Sequence, residues 1–174
     1  MTPSSARARS PAAARLGHEA RAVATDHAAL KLWLRMLSCT TQIETEIRRR
    51  LRRTFGVTLA RFDYMAQLHR RPEGLKMSEL SSRLMVTGGN VTGLTDELQR
   101  DGLVVRASHE TDRRAWIVRL TPKGRRSFEA MARAHEAWIV ELLGGLDRPR
   151  LAQLHGLLGD LRRQLSHNEQ SPEE

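Results

Sequence analysis

The chain is 174 residues long and carries 29 lysines and arginines against 20 acidic residues, a net charge of +9. That excess is more than solubility asks for and points to a polyanionic partner, nucleic acid first. A single cysteine, Cys39, excludes an internal disulfide framework and a multi-cysteine zinc site, and aromatic residues at only 4% beside abundant Leu, Ala and Arg favour helices over sheets.

Taken in chain order, residues 1–25 mix Ala, Arg, Ser and Pro, and they read as a disordered basic arm, either idle or loosely touching phosphates through Arg7, Arg9, Arg15 and Arg21. No apolar block of signal-peptide type stands there, and no run in the chain approaches the ~18 apolar residues of a membrane span, so a cytoplasmic setting is expected. Asp26 is placed to cap a long helix through about Thr54, marked by Leu30, Trp33, Leu34, Leu37, Ile43, Ile47 and Leu51. Gly56 stops it, and Thr58 caps a second helix, "LARFDYMAQLHRR", which ends before Pro72. In "KMSELSSRLM" Ser78 is the expected N-cap of a short third helix, with Leu80 and Leu84 as its buried pair.

After Val86 and Thr87 comes "GGNVTGLTDELQRDG". Val91, Leu94 and Leu98 form the stripe of a helix with one buried face, and Asp101-Gly102 ends it. "LVVRA" and "WIVRL" then read as a hairpin around the charged tip "SHETDRR". Thr121-Pro122 opens a helix through about Leu143, with Phe128, Met131, His135, Trp138 and Leu142 on one face. Asp147 starts the last helix, where Leu151, Leu154, Leu158, Leu161 and Leu165 alternate steps of three and four, the seam of a coiled coil that wants a partner helix. Residues 167–174 read as a disordered tail.

The order helix, turn, short helix, turn, helix, hairpin is that of a winged helix-turn-helix, whose second short helix enters the major groove of DNA. The expected fold class is therefore mainly α with a small β-hairpin wing: a winged helix-turn-helix (58–121) joined to an α-helical dimerisation region (26–54 and 122–166). A 100° step turns Gly89, Thr92, Gly93, Asp96 and Arg100 outward, with Asn90 at the flank. A glycine inside a helix costs about 0.8–1 kcal/mol relative to alanine. On the functional reading the glycines let the helix axis come close to bases and phosphates, Thr92 meets a thymine methyl or a phosphate, and Asn90 meets adenine or a phosphate. On the structural reading Gly88 and Gly89 serve a tight turn and Gly93 close packing. "GGNVTG" lacks the lysine of a nucleotide-binding phosphate loop and does not match GxGxxG. At the hairpin tip Arg113 and Arg114 can reach the minor groove or flanking phosphates and Asp112 can steady them, unless the tip is merely a solvated turn. The candidate DNA contacts are thus Ser78, Thr87, Gly89, Asn90, Thr92, Gly93, Asp112, Arg113 and Arg114.

The phrases "TGGNVTG…L…DGLV" and "DRR…VRLTPKGR" together resemble the MarR family of regulators, over about Asp26 to Leu165. The resemblance implies a homodimer with interlocked terminal helices, two winged units on a pseudo-palindromic double-stranded operator, and a small, often aromatic, acid that relieves DNA binding. It matches Asp112 and Arg114 to the family's recurring wing pair. It also places candidate effector contacts on the first two helices, at Trp33, Arg61, Asp63, Tyr64 and His69, where a cation near aromatic surface suits an aromatic carboxylate or an aromatic acyl thioester. "MVTGGNVTGL" is closest in character to regulators of aromatic-acid catabolism. The peroxide-sensing cysteine of some relatives corresponds to Leu34 here, and Cys39 is expected to be a buried, inert thiol. Histidines are scattered with no metal-ligand spacing, no cofactor is implied, and no nucleophile elbow, phosphate loop or pair of metal ligands argues for an enzyme. The expected function is a ligand-relieved repressor. Its rivals are a nonspecific DNA-coating protein, which the basic balance suits equally well, and a dimerisation adaptor without salt-dependent binding.

Overall fold

The computed structural model describes residues 28–84, 87–108 and 116–168. In order it contains α1 (Ala28–Phe55), α2 (Leu59–His69), β1 (Leu75–Lys76), α3 (Met77–Leu84), α4 (Gly88–Arg100), β2 (Val104–Ser108), β3 (Trp116–Leu120), α5 (Pro122–Leu142) and α6 (Arg148–Asn168). The basic arm, the Asp26 cap and the wing-tip residues Asp112, Arg113 and Arg114 lie outside the described residues. The chain divides into two compact units, one ending at Ala132 and the other beginning at Arg133. None of the described helices is long and apolar enough to cross a membrane.

Local chemistry sets most of the boundaries in the first unit. Thr58, in extended geometry, accepts the Arg61 amide and opens α2. Gly56 closes α1 at φ +65°. α4 ends in a paired set of reverse bonds, Gly102 N to Gln99 O at 2.9 Å and Leu103 N to Leu98 O at 2.9 Å, around Gly102 at φ +70°. The hydroxyl of Thr121 accepts the Gly124 amide at 3.0 Å, with Pro122 in the first helical position of α5.

One expected cap is corrected. Ser78 is not the N-cap of α3: the helix already includes Met77, and the Lys76 amide is taken by the Glu79 carboxylate at 2.9 Å. β1 ends immediately before, so the strand fixes where the helix starts. Ser78 lies exposed in the first turn, its carbonyl accepting from Ser82 Oγ.

The sheet has the order β1-β3-β2, antiparallel throughout, with Leu75 opposite Val118 and Arg106 opposite Val118 on the other side. β1 leaves no mark in the sequence, because two residues are too short to show alternation. Beneath the sheet the core joins Leu51 of α1, Tyr64, Met65 and Leu68 of α2, Leu80 of α3, Val91 and Leu98 of α4, and Val118 of β3, all buried. Phe62 stacks on Phe128 of α5, ring centres 5.4 Å apart. Burial of each such side chain is worth roughly 1.5–3 kcal/mol.

The apolar stripe of α1 is only half used. Ile47 and Leu51 are buried, whereas Leu30, Trp33 and Leu37 stand 46%, 56% and 45% exposed. Cys39 lies on this stretch and is exposed, contrary to the buried thiol expected.

The second unit contains the end of α5 and α6. Asp147 caps α6 by accepting the Arg150 amide at 2.9 Å, as its position suggested. α6 continues through Asn168, past the point where a tail was expected to begin. Its seam leucines Leu151, Leu154, Leu158 and Leu165 remain 39–56% exposed.

Candidate nucleic-acid interface

α4 is anchored by its inner face. Val91, Thr95 and Leu98 are buried and Leu94 is half-buried, while Gly88, Gly89, Asn90, Thr92, Gly93, Asp96 and Arg100 are exposed. Thr95 is the buried member that the apolar stripe did not reveal. Its hydroxyl donates to the Val91 carbonyl at 2.6 Å, which leaves the Tyr64 hydroxyl to donate to Thr95 Oγ at 2.5 Å. Burial pushes the Tyr64 phenol up, since the phenolate would lose its hydration, and the Thr95 bond offsets this in part.

A second tie runs from the wing. Arg106 of β2 forms an ion pair with Asp96 and reaches the Thr92 carbonyl at 3.5 Å. Asp96 is outward as expected, but its carboxylate is engaged by the wing stem. A third pair joins Arg61 of α2 to Asp101 at the end of α4. The recognition helix is therefore held on its inner face, on its wing flank and at its C-terminus, by α2 and β2 together.

The three glycines of α4 are required by none of this. A Cβ built on Gly88, Gly89 or Gly93 meets nothing within 4 Å, and none of the three has a positive φ. The tight-turn and close-packing explanations therefore fail for them. Gly124 provides the contrast: its Cβ would stand 1.9 Å from the Leu103 carbonyl oxygen, so that glycine does serve packing. Thr87, the N-cap of α4, is extended and makes no side-chain cap bond. The first amides of α4, at the positive end of the helix dipole, therefore receive no cap from the Thr87 hydroxyl. The Thr92 hydroxyl donates to Gly88 O at 3.1 Å, which leaves its lone pairs and methyl for an outside partner. Beside α4 opens a groove of about 660 Å³, lined by Lys76, Ser78 and Ser82 with Gly88, Thr92 and Trp116. Sequence reasoning named Ser78 and Thr92 but not Lys76 or Trp116, which only the β1-β3 pairing brings to this place.

The five expected effector residues do not converge. Tyr64 is sealed in the core, a correction that follows from its bond to Thr95. Arg61 is engaged by Asp101, so its guanidinium has a structural partner. Trp33 stands exposed on α1. His69 lies against the Phe128 ring at 4.8 Å, with Nε2 3.5 Å from Glu129. Asp63 lines a cavity of about 430 Å³, whose other walls include Glu44, Arg48, Arg49, Arg52 and Thr58. Among the described residues no group of His, Cys, Asp and Glu could hold a metal ion.

A recognition helix with a bare outer face, carried between α2 and a stranded wing, defines a winged-helix DNA-binding protein. The comparisons with known proteins agree and go further. The profile of the MarR family matches residues 55–115. A transcriptional activatory protein, BadR of Rhodopseudomonas palustris, is 31% identical over 132 residues, spanning 70% of this chain and 75% of that protein. The transcriptional repressor YetL of Bacillus subtilis is 33% identical over 64% of each chain. The crystal structure of a MarR family transcriptional regulator from Silicibacter pomeroyi superposes with a TM-score of 0.69 at 33% identity, covering 82% of this chain and 99% of that one. The chain belongs to the MarR family. It is a DNA-binding transcriptional regulator, not an enzyme.

Proposed function

We propose that the chain is a homodimeric regulator that reads a short near-palindrome through the N-terminal half of α4 and is released from it by a small aromatic acid or aromatic acyl thioester. The observation that carries the DNA reading is the bare outer face of α4: Gly88, Gly89 and Gly93 are exposed and unneeded by the fold. Residues that cost helix stability without serving the interior are explained by what approaches from outside. Asn90, Thr92 and the first amides of α4 then face base edges and a phosphate, with Thr87 and Ser78 at the strand beside them, and the charged run that holds Asp112, Arg113 and Arg114 supplies further phosphate or minor-groove contacts.

The dimer reading rests on the exposed stripes of α1 and α6. Leucine and tryptophan side chains at helical spacing, left at 39–56% exposure, are the kind of surface that a second copy covers. Two copies give two recognition helices, and a palindromic site mirrors their symmetry. The sign of regulation follows the family's commoner mode, repression. The effector class rests on the resemblance of "MVTGGNVTGL" to regulators of aromatic-acid catabolism. Within the first unit the effector's carboxylate has two candidate neighbours, the arginine-walled cavity at Asp63 and the half-exposed His69 beside Phe128. A ligand acts only through its preference between the bound and released arrangements of the two α4 helices.

Light scattering on a size-exclusion column, followed by titration of aromatic acids and their thioesters into the protein bound to DNA from upstream of its own gene, tests the reading. A dimer released by one compound class is expected; a monomer, or a complex that no aromatic acid disturbs, overturns the corresponding part.

A further inference from the structure

The groove between α3, α4 and β3 has a lining that the core does not explain. On β3, Trp116 and Val118 point to the same face of the sheet. Val118 is buried, whereas Trp116, one step beyond the edge of the core, is 50% exposed. Its indole forms one wall of the groove, and the N-terminal turn of α4 at Gly88 and Thr92 lines the same groove. Ser78 and Ser82, both exposed, contribute hydroxyls from α3. Lys76 supplies a cation whose ammonium has no ion-pair partner among the described residues. The nearby carboxylate of Glu79 is turned back onto the Lys76 amide at 2.9 Å.

We propose that this groove seats one sugar–phosphate strand of the DNA, with Lys76 and Ser78 on phosphate oxygens and the Trp116 indole flat against a deoxyribose or a splayed base edge. The inference rests on the DNA-binding reading and adds a second contact surface to it, next to the bases that α4 reads. The chemistry selects this occupant. A wholly apolar partner would leave the Lys76 ammonium desolvated without an anion, while an acidic peptide would have no use for the flat apolar wall. A nucleic-acid strand offers an anion at regular spacing and an apolar sugar face between anions. The groove is continuous with the exposed half of α4, so a strand bordering the major groove passes through it when α4 is docked.

Four variants test the proposal: Trp116→Ala, Trp116→Phe, Lys76→Ala and Lys76→Arg, each with its thermal melt recorded. The probes are a random-sequence duplex and the duplex upstream of the chain's own gene. Trp116→Ala is expected to bind both duplexes about tenfold more weakly, as loss of an aromatic contact to a strand does. Lys76→Ala is expected to lower the salt slope by about one unit on both, and Lys76→Arg to restore it. The tryptophan emission of the unaltered chain should be quenched by either duplex, and Trp116→Phe, which keeps a ring and the fold, should lose most of that quenching. Retained quenching in Trp116→Phe together with an unchanged salt slope in Lys76→Ala would overturn the proposal, as would a loss confined to the upstream duplex, which marks base reading instead. If the unaltered chain bound neither duplex, the DNA-binding reading itself would fall, a result distinguishable from failure of the groove alone.

Discussion

The bond between Tyr64 and Thr95 joins α2 to the buried face of the recognition helix, and its geometry makes an asymmetric prediction. Thr95 Oγ donates to the Val91 carbonyl and accepts from the Tyr64 hydroxyl. In Tyr64→Phe the donor disappears while Thr95 keeps its helix bond, so the loss is that of one ordinary hydrogen bond, about 0.5–1.5 kcal/mol. In Thr95→Val the acceptor disappears and the Tyr64 hydroxyl is left orphaned in a fully buried site. That costs more, about 1–3 kcal/mol. The double variant removes both groups at nearly constant shape and leaves no orphan, so its loss should fall short of the sum by about 1 kcal/mol. Urea unfolding of all four proteins at one protein concentration measures this, the fixed concentration being needed because association shifts apparent stability. Two losses that simply add, or a Thr95→Val cost no greater than that of Tyr64→Phe, would refute the assignment of donor and acceptor. The pH dependence provides a second check. Burial raises the Tyr64 phenol above its ordinary 10.0, so the native chain keeps a proton that the unfolded chain releases. The stability this represents is complete below about pH 10 and is lost as pH rises beyond it, a decline that should be shallower in Tyr64→Phe.

Gly93→Leu should raise the melting temperature slightly, since the added side chain meets nothing and removes a helix penalty of about 0.8–1 kcal/mol, yet it should abolish binding to the upstream duplex in a gel-shift assay. Gly124→Ala should do the reverse of stabilising: its Cβ would press on the Leu103 carbonyl, costing about 1–3 kcal/mol in a denaturant melt. The hydrogen bonds from Arg49 and Arg50 hold the Glu46 carboxyl down at about 2 from 4.5, so its contribution is present above that ordinary value and fades as pH falls toward 2. Glu46→Gln should therefore flatten the acid limb of the stability curve between those two pH values.

The parts of the fold legible in the sequence are those settled within a few residues. Thr58, Thr121 and Asp147 cap the helices they precede, Gly102 ends α4, and the apolar stripe orients α4 with Asn90, Thr92 and Gly93 outward. The illegible parts depend on distant partners. Thr95, a polar residue outside the apolar stripe, is buried because Tyr64, 31 positions away, supplies its hydrogen bond. Arg61 reads as a free cation until Asp101, 40 positions away, engages it. Ser78 has the character of a cap, but β1 pairing at Leu75 and Lys76 fixes the start of α3 one residue earlier. Cys39 is expected as a buried thiol because it is offset from the peroxide-sensing position at Leu34, but that offset says nothing about burial, and the side chain stands exposed. Lys76 and Trp116 meet across the groove only through the sheet.

The central claim is that α4 reads sequence, so the most direct measurement is the ratio of affinities for the duplex upstream of the chain's own gene and for random-sequence duplex at one fixed salt concentration. A ratio of about 10³ or more is the expected result, since specific readers exceed their own nonspecific binding by at least that factor. A ratio near unity, with binding to both lost together as salt rises, would mean that the basic surface alone holds DNA and that the bare face of α4 reads nothing.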